Sequence, residues 1–108
     1  MSLLSDRQKL FALFVPDLIN KAHEMGFEVV IGDVHRSVEE ATRLGFPNSN
    51  HTRCLAIDLN LFLDGKYLTK TDDHYDLGMW WEQLHPLCQW GGHFNDGNHY
   101  SLDWEGTV

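Results

Sequence analysis

Basic residues and long apolar runs are both scarce in this chain of 108 residues. It has eight Lys and Arg against sixteen Asp and Glu, which gives a formal net charge of −8 with His neutral. A surface of this charge repels phosphate backbones and anionic lipid headgroups, so neither nucleic acid nor a membrane is an expected partner. No apolar run approaches the ~18 residues that a membrane-spanning helix needs. These absences leave a globular protein that acts on another class of ligand.

Cysteine and proline are rare as well. Cys54 and Cys88 can form one disulfide at most, and the first residues, MSLLSD, lack the basic start and apolar centre of a signal peptide. We therefore expect synthesis in a reducing cytoplasm. With three prolines and 43% hydrophobic residues, the chain has the composition of one folded domain over residues 1–108, and not that of a disordered segment.

The order of apolar patterns predicts an α+β domain in which helices pack on a small, largely antiparallel sheet. The first helix is predicted over residues 6–25, where apolar residues recur at helical spacing. A capping box from Ser5 to Gln8 would begin it, and Pro16 would kink it or restart it.

Period-two alternation predicts a strand over residues 56–63, and Asp64-Gly65 predicts the hairpin that follows. The other predicted elements are a strand over residues 28–33, a short helix between the capping box at 37–40 and Gly45, a returning strand over 66–68, a helix from a cap at 72 or 73 to 84, and a last strand over 99–104.

Two histidines and one aspartate stand out beside the predicted strands. Asp58 points away from the apolar stripe of its strand, and His99 points away from the bulky side of the last strand. His51 precedes Asp58 by seven residues. Two imidazoles and one carboxylate from separate segments suit zinc on the open face of the sheet, with a fourth position left for water. Solvated side chains would show the same spacing, so spacing alone leaves both interpretations open.

Two blocks of sequence carry a family resemblance. SNHTRCLAID, residues 49–58, resembles the S-x-H-x-x-G-x-A-x-D signature of the zinc D-Ala-D-Ala carboxypeptidases and L-alanyl-D-glutamate peptidases of the M15 family. WGGHFNDGNHY, residues 90–100, resembles the second block of that family, W-G-G-x-F followed by D/E-x-x-H-F/Y. Both blocks occur in the family's order, and the resemblance extends over residues 26–102.

The resemblance implies a role for each residue that matches. His51, Asp58 and His99 would bind a Zn²⁺ cofactor, and Asp96 would be the catalytic acid–base. Arg36, just after the first strand, stands where the family has an arginine that steadies the carbonyl oxygen of the scissile bond.

Other positions of the two blocks carry weaker expectations. Ser49 and His93 are predicted substrate contacts, with solvent exposure as the alternative for His93. Cys54 replaces the glycine of the signature, so the backbone must avoid a positive φ there or tolerate some strain. We expect a buried small residue at this position and not a further metal ligand. Trp90 is predicted to pack beneath the two glycines that follow it.

These features predict a zinc-dependent peptidase that cuts a bond involving a D-amino acid in the stem peptides of bacterial peptidoglycan, with L-Ala–D-Glu as the first choice. Its small size is similar to that of compact phage endolysins. We therefore expect a monomeric phage or prophage endolysin, made in the host cytoplasm and acting at the cell wall after release.

Two alternatives stay open. One is a D-Ala-D-Ala dipeptidase or carboxypeptidase that acts on small precursors in the cytosol. The other is a non-catalytic, zinc-containing module that binds wall peptides. The presence of Asp96 favours catalysis, since a structural zinc site needs no nearby general base.

Overall fold

A computed structural model describes residues 3–108 and has the α+β architecture that the sequence predicts. The elements within these residues are the helices α1 (Leu4–Glu24), α2 (Val38–Arg43) and α3 (Tyr75–Leu84), the strands β1 (Glu28–Ile31), β2 (Ala56–Leu63), β3 (Lys66–Tyr67), β4 (Cys88–Trp90) and β5 (His99–Leu102), and the short 3-10 helices Asn50–Arg53, Thr71–His74 and Gly91–Phe94. The strands form an antiparallel sheet in the order β1-β2-β5-β4, with β3 paired to the end of β2.

The sheet has one face covered by helices and one open face. Ile57, Leu59 and Leu61 of β2 are buried in the core that forms between the sheet, α1 and α3. Asp58 and Asn60 alternate with them and are only half-buried. The alternation predicted for this strand is therefore confirmed, and it turns the polar residues of β2 towards the open face.

Tryptophan packing ties α3 to the turn that follows β4. Trp81 is fully buried, and Trp90 is 4% exposed. The indole of Trp90 lies between Gly78 of α3 and Gly92, where a Cβ at either glycine would overlap the ring. Its Nε1 donates a hydrogen bond to the carbonyl oxygen of Gly97 at 2.7 Å. The predicted packing of Trp90 beneath the glycine turn is confirmed.

The first helix begins differently from its prediction. Leu3 is the N-cap, and the carboxylate of Asp6 accepts the hydrogen bond from its backbone N–H at 3.3 Å. The predicted capping box from Ser5 to Gln8 is wrong, because the Gln8 amide donates instead to the carbonyl oxygen of Arg53 at 2.7 Å. A long-range contact thus takes the side chain that the local pattern assigned to the cap.

Pro16 does not interrupt α1, so the predicted restart is wrong. Proline removes the hydrogen bond to the carbonyl four residues earlier, which belongs to Ala12. Both residues are exposed, so water can take the place of the missing donor. Within residues 3–108 no helix combines the length and the apolar character that a membrane span requires.

The far edge of the sheet also differs from its prediction. Strand β4 was not predicted, because three residues are too few to show an alternation. Strand β5 ends at Leu102 and not at residue 104 as predicted, although the N–H of Asp103 still donates to the carbonyl oxygen of Leu87 at 2.8 Å. Trp104 instead forms an isolated bridge with Thr107.

A buried histidine at the start of α3 makes the stability of the fold sensitive to pH. His74 is 3% exposed, and its Nδ1 lies 2.8 Å from the hydroxyl oxygen of Tyr100. Burial, offset only slightly by Asp73, lowers the pKa of His74 from 6.5 to about 4. His74 is therefore neutral in the folded protein at pH 7.

We expect the contribution of His74 to the free energy of unfolding to be lost between pH 6.5 and pH 4. The unfolded chain binds a proton at His74 near pH 6.5 and the folded chain only near pH 4, so the contribution is complete above the first value and is lost towards the second. The gap corresponds to about 3 kcal/mol. The free energy of unfolding, measured with urea in the presence of a metal chelator, should fall by about that much more in the wild type than in H74Q. Equal pH dependence would contradict this assignment.

Candidate metal centre

Three separate segments bring the predicted metal ligands together on the open face. His51 lies in the 3-10 helix before β2, Asp58 in β2 and His99 at the start of β5. Asp58 and His99 are direct partners in the antiparallel register, so their side chains stand side by side on one face. The strand pairing thus places two of the three groups, and the 3-10 helix brings the third.

The 3-10 helix is held in place by polar side chains of its own. Asn50 is fully buried, and its amide donates to the carbonyl oxygens of Leu102 at 2.9 Å and Thr107 at 2.8 Å. Ser49 caps the helix, because its Oγ accepts the backbone N–H of His51 at 3.2 Å. The buried Asn50 therefore fixes the position from which His51 reaches Asp58.

The three side chains form one tight group. Nε2 of His51 lies 3.2 Å from Oδ1 of Asp58, and Nδ1 of His99 lies 3.7 Å from the same oxygen. Their ligand atoms all fall within 4.8 Å of one another. His51 is 3% exposed and His99 6%, while the Asp58 side chain is 18% exposed, so the group is largely buried.

The hydrogen bond between His51 and Val34 decides which nitrogen is available to a metal. Nδ1 of His51 lies 3.0 Å from the carbonyl oxygen of Val34, and only a protonated Nδ1 can donate to it. In the neutral ring, Nε2 then carries a lone pair that faces Oδ1 of Asp58. Two acceptors at 3.2 Å repel each other unless a proton or a metal cation bridges them. Oδ1 of Asp58 is buried without a hydrogen-bond partner in the described part of the chain. The group therefore fits a bound metal ion.

The pKa values of Asp58 and His51 are set by burial and by the contacts within the group. Burial disfavours the charged form of Asp58, but the two histidines outweigh it and lower the pKa of this carboxyl to about 2. Burial likewise opposes charge on His51, but Asp58 and the Val34 carbonyl outweigh it and raise the pKa of the imidazole. Asp58 is thus an anion at neutral pH, as a metal ligand must be.

Asp96 lies beside this group without belonging to it. Its Oδ2 is 4.0 Å from Nδ1 of His99, and its side chain is 53% exposed. A tight turn places it there: the N–H of Asp96 donates to the carbonyl oxygen of Gly91 at 2.9 Å, and the N–H of His99 donates to that of Asp96 at 3.1 Å. A Cβ at Gly91 would overlap the Asp96 carbonyl and lie 2.7 Å from Cβ of His99. The first glycine of the second block is therefore required by the approach of this turn.

Arg36 reaches the group from the segment after β1. Its guanidinium donates to Oδ2 of Asp33 at 2.6 Å, and its backbone N–H donates to the carbonyl oxygen of His51 at 3.1 Å. The side chain is 15% exposed. Asp33 also accepts the N–H of Asp58 at its own carbonyl oxygen, at 2.8 Å. The segment thus links the arginine to two of the predicted metal ligands.

A cleft with a volume of about 780 Å³ lies over the metal group. Its walls include the three predicted metal ligands together with Arg36, Ser49 and Asp96. Apolar residues form the rim, among them Phe46 and Phe94, which are 64% and 51% exposed. The Phe94 ring also packs edge-on against His99, with 5.9 Å between ring centroids. The cleft therefore combines a buried polar floor with an apolar rim.

Two residues of the blocks lie elsewhere. His93 is not in the cleft wall: its Nε2 lies 2.8 Å from Oε1 of Glu82, and its ring packs against Trp90. Cys54 is exposed, so the expectation of a buried small residue is wrong. It does not join the metal group, and both cysteines are free thiols in this structure.

Sequence reasoning missed the residues that support the site. Val34 acts through its backbone carbonyl, which carries no side-chain signal. Asp33 precedes Arg36 by three residues, a spacing that could have indicated the ion pair. Phe46 lies outside both blocks, and only the folded chain brings it to the cleft.

The backbone at Cys54 adopts a conformation that is strained for a residue with a side chain. Its φ of 57° and ψ of 37° lie in the left-handed region, which costs a residue with a Cβ about 1–2 kcal/mol. We expect C54G to raise the free energy of unfolding by about 0.5–1 kcal/mol, because glycine also loses more backbone entropy on folding. Thermal unfolding should show a melting temperature a few degrees higher. C54A keeps the Cβ and should show no gain; an equal gain would contradict the strain.

Comparisons with known proteins give one informative result. No family model and no curated protein sequence matches the chain. Among solved structures, the chain is similar to the L-Ala D-Glu endopeptidase ChiX of Serratia marcescens, with a TM-score of 0.64 and 22% sequence identity. The match covers 90% of this chain and 86% of that one. The two proteins therefore share a fold over nearly their whole lengths.

Proposed function

We propose that this chain is a zinc-dependent peptidase of bacterial peptidoglycan that cuts the bond between L-Ala and D-Glu of the stem peptide. One observation carries the proposal. The buried group of His51, Asp58 and His99 faces the same cleft as Asp96 and Arg36. The fold shared with an L-Ala D-Glu endopeptidase supports this choice of substrate.

Zinc is proposed from the chemistry of the donor atoms. Two imidazole nitrogens and one carboxylate oxygen form the common three-ligand set of catalytic zinc sites, in which one position stays open. When bound, zinc supplies Lewis-acid chemistry: it lowers the pKa of water to about 7 and polarises a carbonyl group. The hydrogen bond from His51 to Val34 holds the ring in the tautomer that a metal needs.

Asp96 and Arg36 would carry the remaining steps. The exposed carboxylate of Asp96 would take a proton from the attacking water and return it to the leaving amine. The guanidinium of Arg36, oriented by Asp33, would stabilise the negative charge that develops on the carbonyl oxygen. Donors of this kind contribute about 3 kcal/mol where they have been measured. No covalent intermediate on the protein is required.

The biological setting is part of the same proposal. We propose membership of the M15 peptidase family on the two sequence blocks, and the role of a monomeric phage or prophage endolysin. Such a protein would be made in the host cytoplasm and act at the wall after release. Its net charge of −8 gives it no long-range attraction to an anionic wall, so recognition would be local to the stem peptide.

Mass spectrometry of fragments from purified cell walls tests the proposal. Digestion by the zinc-loaded protein should release stem peptides that begin with D-Glu and leave L-Ala on the glycan. Release of reducing sugar ends without new amino groups would overturn it, because that chemistry belongs to a glycosidase. Release of terminal D-Ala would instead favour the D-Ala-D-Ala peptidase alternative.

A further inference from the structure

A second, smaller cavity adjoins the metal cleft. Its volume is about 180 Å³, and it shares Asn95 and Asp96 with the wall of the cleft. The rest of its wall is largely polar and includes Lys70, Thr71 and His74. The mechanism above makes no use of this cavity.

His74 offers a hydrogen-bond donor to the cavity. The hydroxyl of Tyr100 is fully buried and lies 2.8 Å from Nδ1 of His74. Buried hydroxyl hydrogens are rarely left without an acceptor, and Nδ1 of His74 is the acceptor within reach of the Tyr100 hydroxyl in the described part of the chain. Since the low pKa of His74 keeps the ring neutral at pH 7, the ring hydrogen is on Nε2. No group within residues 3–108 accepts a hydrogen bond from that nitrogen.

Lys70 adds a positive charge at the rim. Its backbone N–H donates to Oδ2 of Asp73 at 3.0 Å, while its ammonium forms no salt bridge with any carboxylate of the described chain. Lys70 is exposed, so its ammonium can turn towards a ligand. The cavity therefore presents one ammonium and one N–H donor beside the carboxylate of Asp96, and the two donors suit an anionic oxygen ligand.

The cavity wall is attached to the turn that carries Asp96. Thr71 donates through its hydroxyl to Oδ1 of Asn95 at 3.2 Å. The backbone of Thr71 also packs so closely on Gly97 that a Cβ there would lie 2.6 Å from its Cα. A ligand in the cavity thus lies at a fixed position relative to the proposed acid–base.

Resting on the proposed function, we infer that this cavity binds the α-carboxylate of the residue whose amino group leaves. D-Glu continues the stem peptide through its γ-carboxyl group, so its α-carboxylate is free and lies one carbon from the scissile nitrogen. Asp96, which would protonate that nitrogen, stands in the walls of both cavities. The terminal carboxylate of D-Ala-D-Ala has the same position relative to its scissile bond. Lys70 would therefore determine specificity for a free α-carboxylate on the residue that follows the scissile bond.

Two matched peptides test this inference with the zinc-loaded protein. One is L-Ala-D-Glu-L-Lys linked through the γ-carboxyl group, and the other carries D-isoglutamine, in which the α-carboxylate is an amide. We expect the wild type to prefer the acid by about tenfold in kcat/KM, as for one charge-assisted hydrogen bond. K70M should lower kcat/KM for the acid by about tenfold, mainly through KM, and leave the amide within about twofold.

K66M is the matched control, because it removes the same charge from neighbouring β3 and does not line the cavity. It should keep the wild-type preference. An equal loss on both peptides in K70M, or no preference in the wild type, would overturn the inference and leave the proposed function intact.

A second pair, D-Ala-D-Ala and D-Ala-D-alaninamide, separates the two sources of the carboxylate. Cleavage of this pair alone, with the same dependence on Lys70, would support the role of the cavity. The bond that the protein cuts would then be that of D-Ala-D-Ala and not that between L-Ala and D-Glu. Cleavage of none of the four substrates by the wild type would overturn the proposed function and this inference with it.

Discussion

Replacement of Asp96 by Asn is expected to lower turnover on cell-wall substrate by about 10²–10⁴-fold. The amide has nearly the same volume but cannot accept the proton of the attacking water. Asp96 is exposed and lies 4.0 Å from the nearest ligand nitrogen, so zinc content and melting temperature should stay close to those of the parent. Release of new amino groups from purified walls measures the turnover.

D103N is the matched control for this variant. It makes the same chemical change on an aspartate that lies near the end of β5 and does not line the cleft, so turnover should be unchanged. Normal turnover in D96N would exclude Asp96 as the general base. Binding of wall peptides without turnover by the zinc-loaded wild type would instead favour the non-catalytic module.

Substitutions in the metal group should weaken zinc binding, and the loss of zinc should in turn lower activity. We expect about one zinc per wild-type chain after dialysis, and H99A should lose most of it. D58N replaces an anionic ligand by a weaker neutral one, so its zinc affinity should fall and added zinc should partly restore its activity. Metal analysis and activity titrated with zinc measure both effects.

The same group should couple metal binding to stability. Its ligands come from β2, β5 and a separate 3-10 helix, so the unfolded chain does not hold them together. Ligand binding at about 1,000 times Kd stabilises the folded state by about 4 kcal/mol. Chelator should therefore lower the melting temperature of the wild type clearly and that of H99A little. A metal-free wild type with full wall-lytic activity would contradict the assignment.

Sequence patterns predicted four of the five strands in the described part of the chain and the side chains of the proposed site. The alternation in β2 predicts which face carries Asp58 because successive side chains of a strand point in opposite directions. The two blocks then contain His51, His99 and Asp96, which meet in one place because β2 and β5 are paired with Asp58 opposite His99. The resemblance of the two blocks to a known family therefore indicated these residues, and the pairing of β2 with β5 brings them together.

Long-range contacts decided the rest. His93 and Phe94 are neighbours in one 3-10 helix, yet Phe94 lines the cleft and His93 pairs with Glu82. A helix of four residues has no periodic pattern that tells its two faces apart, so packing against α3 decides which side chain reaches the site. Phe46 reaches the rim in the same way, from a loop without any local signal.

The support of the metal group also depends on the tertiary structure. The carbonyl oxygen of Val34 is 17 residues from His51 in sequence and selects the tautomer of the ring. A backbone group of this kind is present at every position, so no choice of amino acid marks it. The sequence alone therefore determined which side chains carry the proposed chemistry, and only the folded chain decided how their protons and orientations are set.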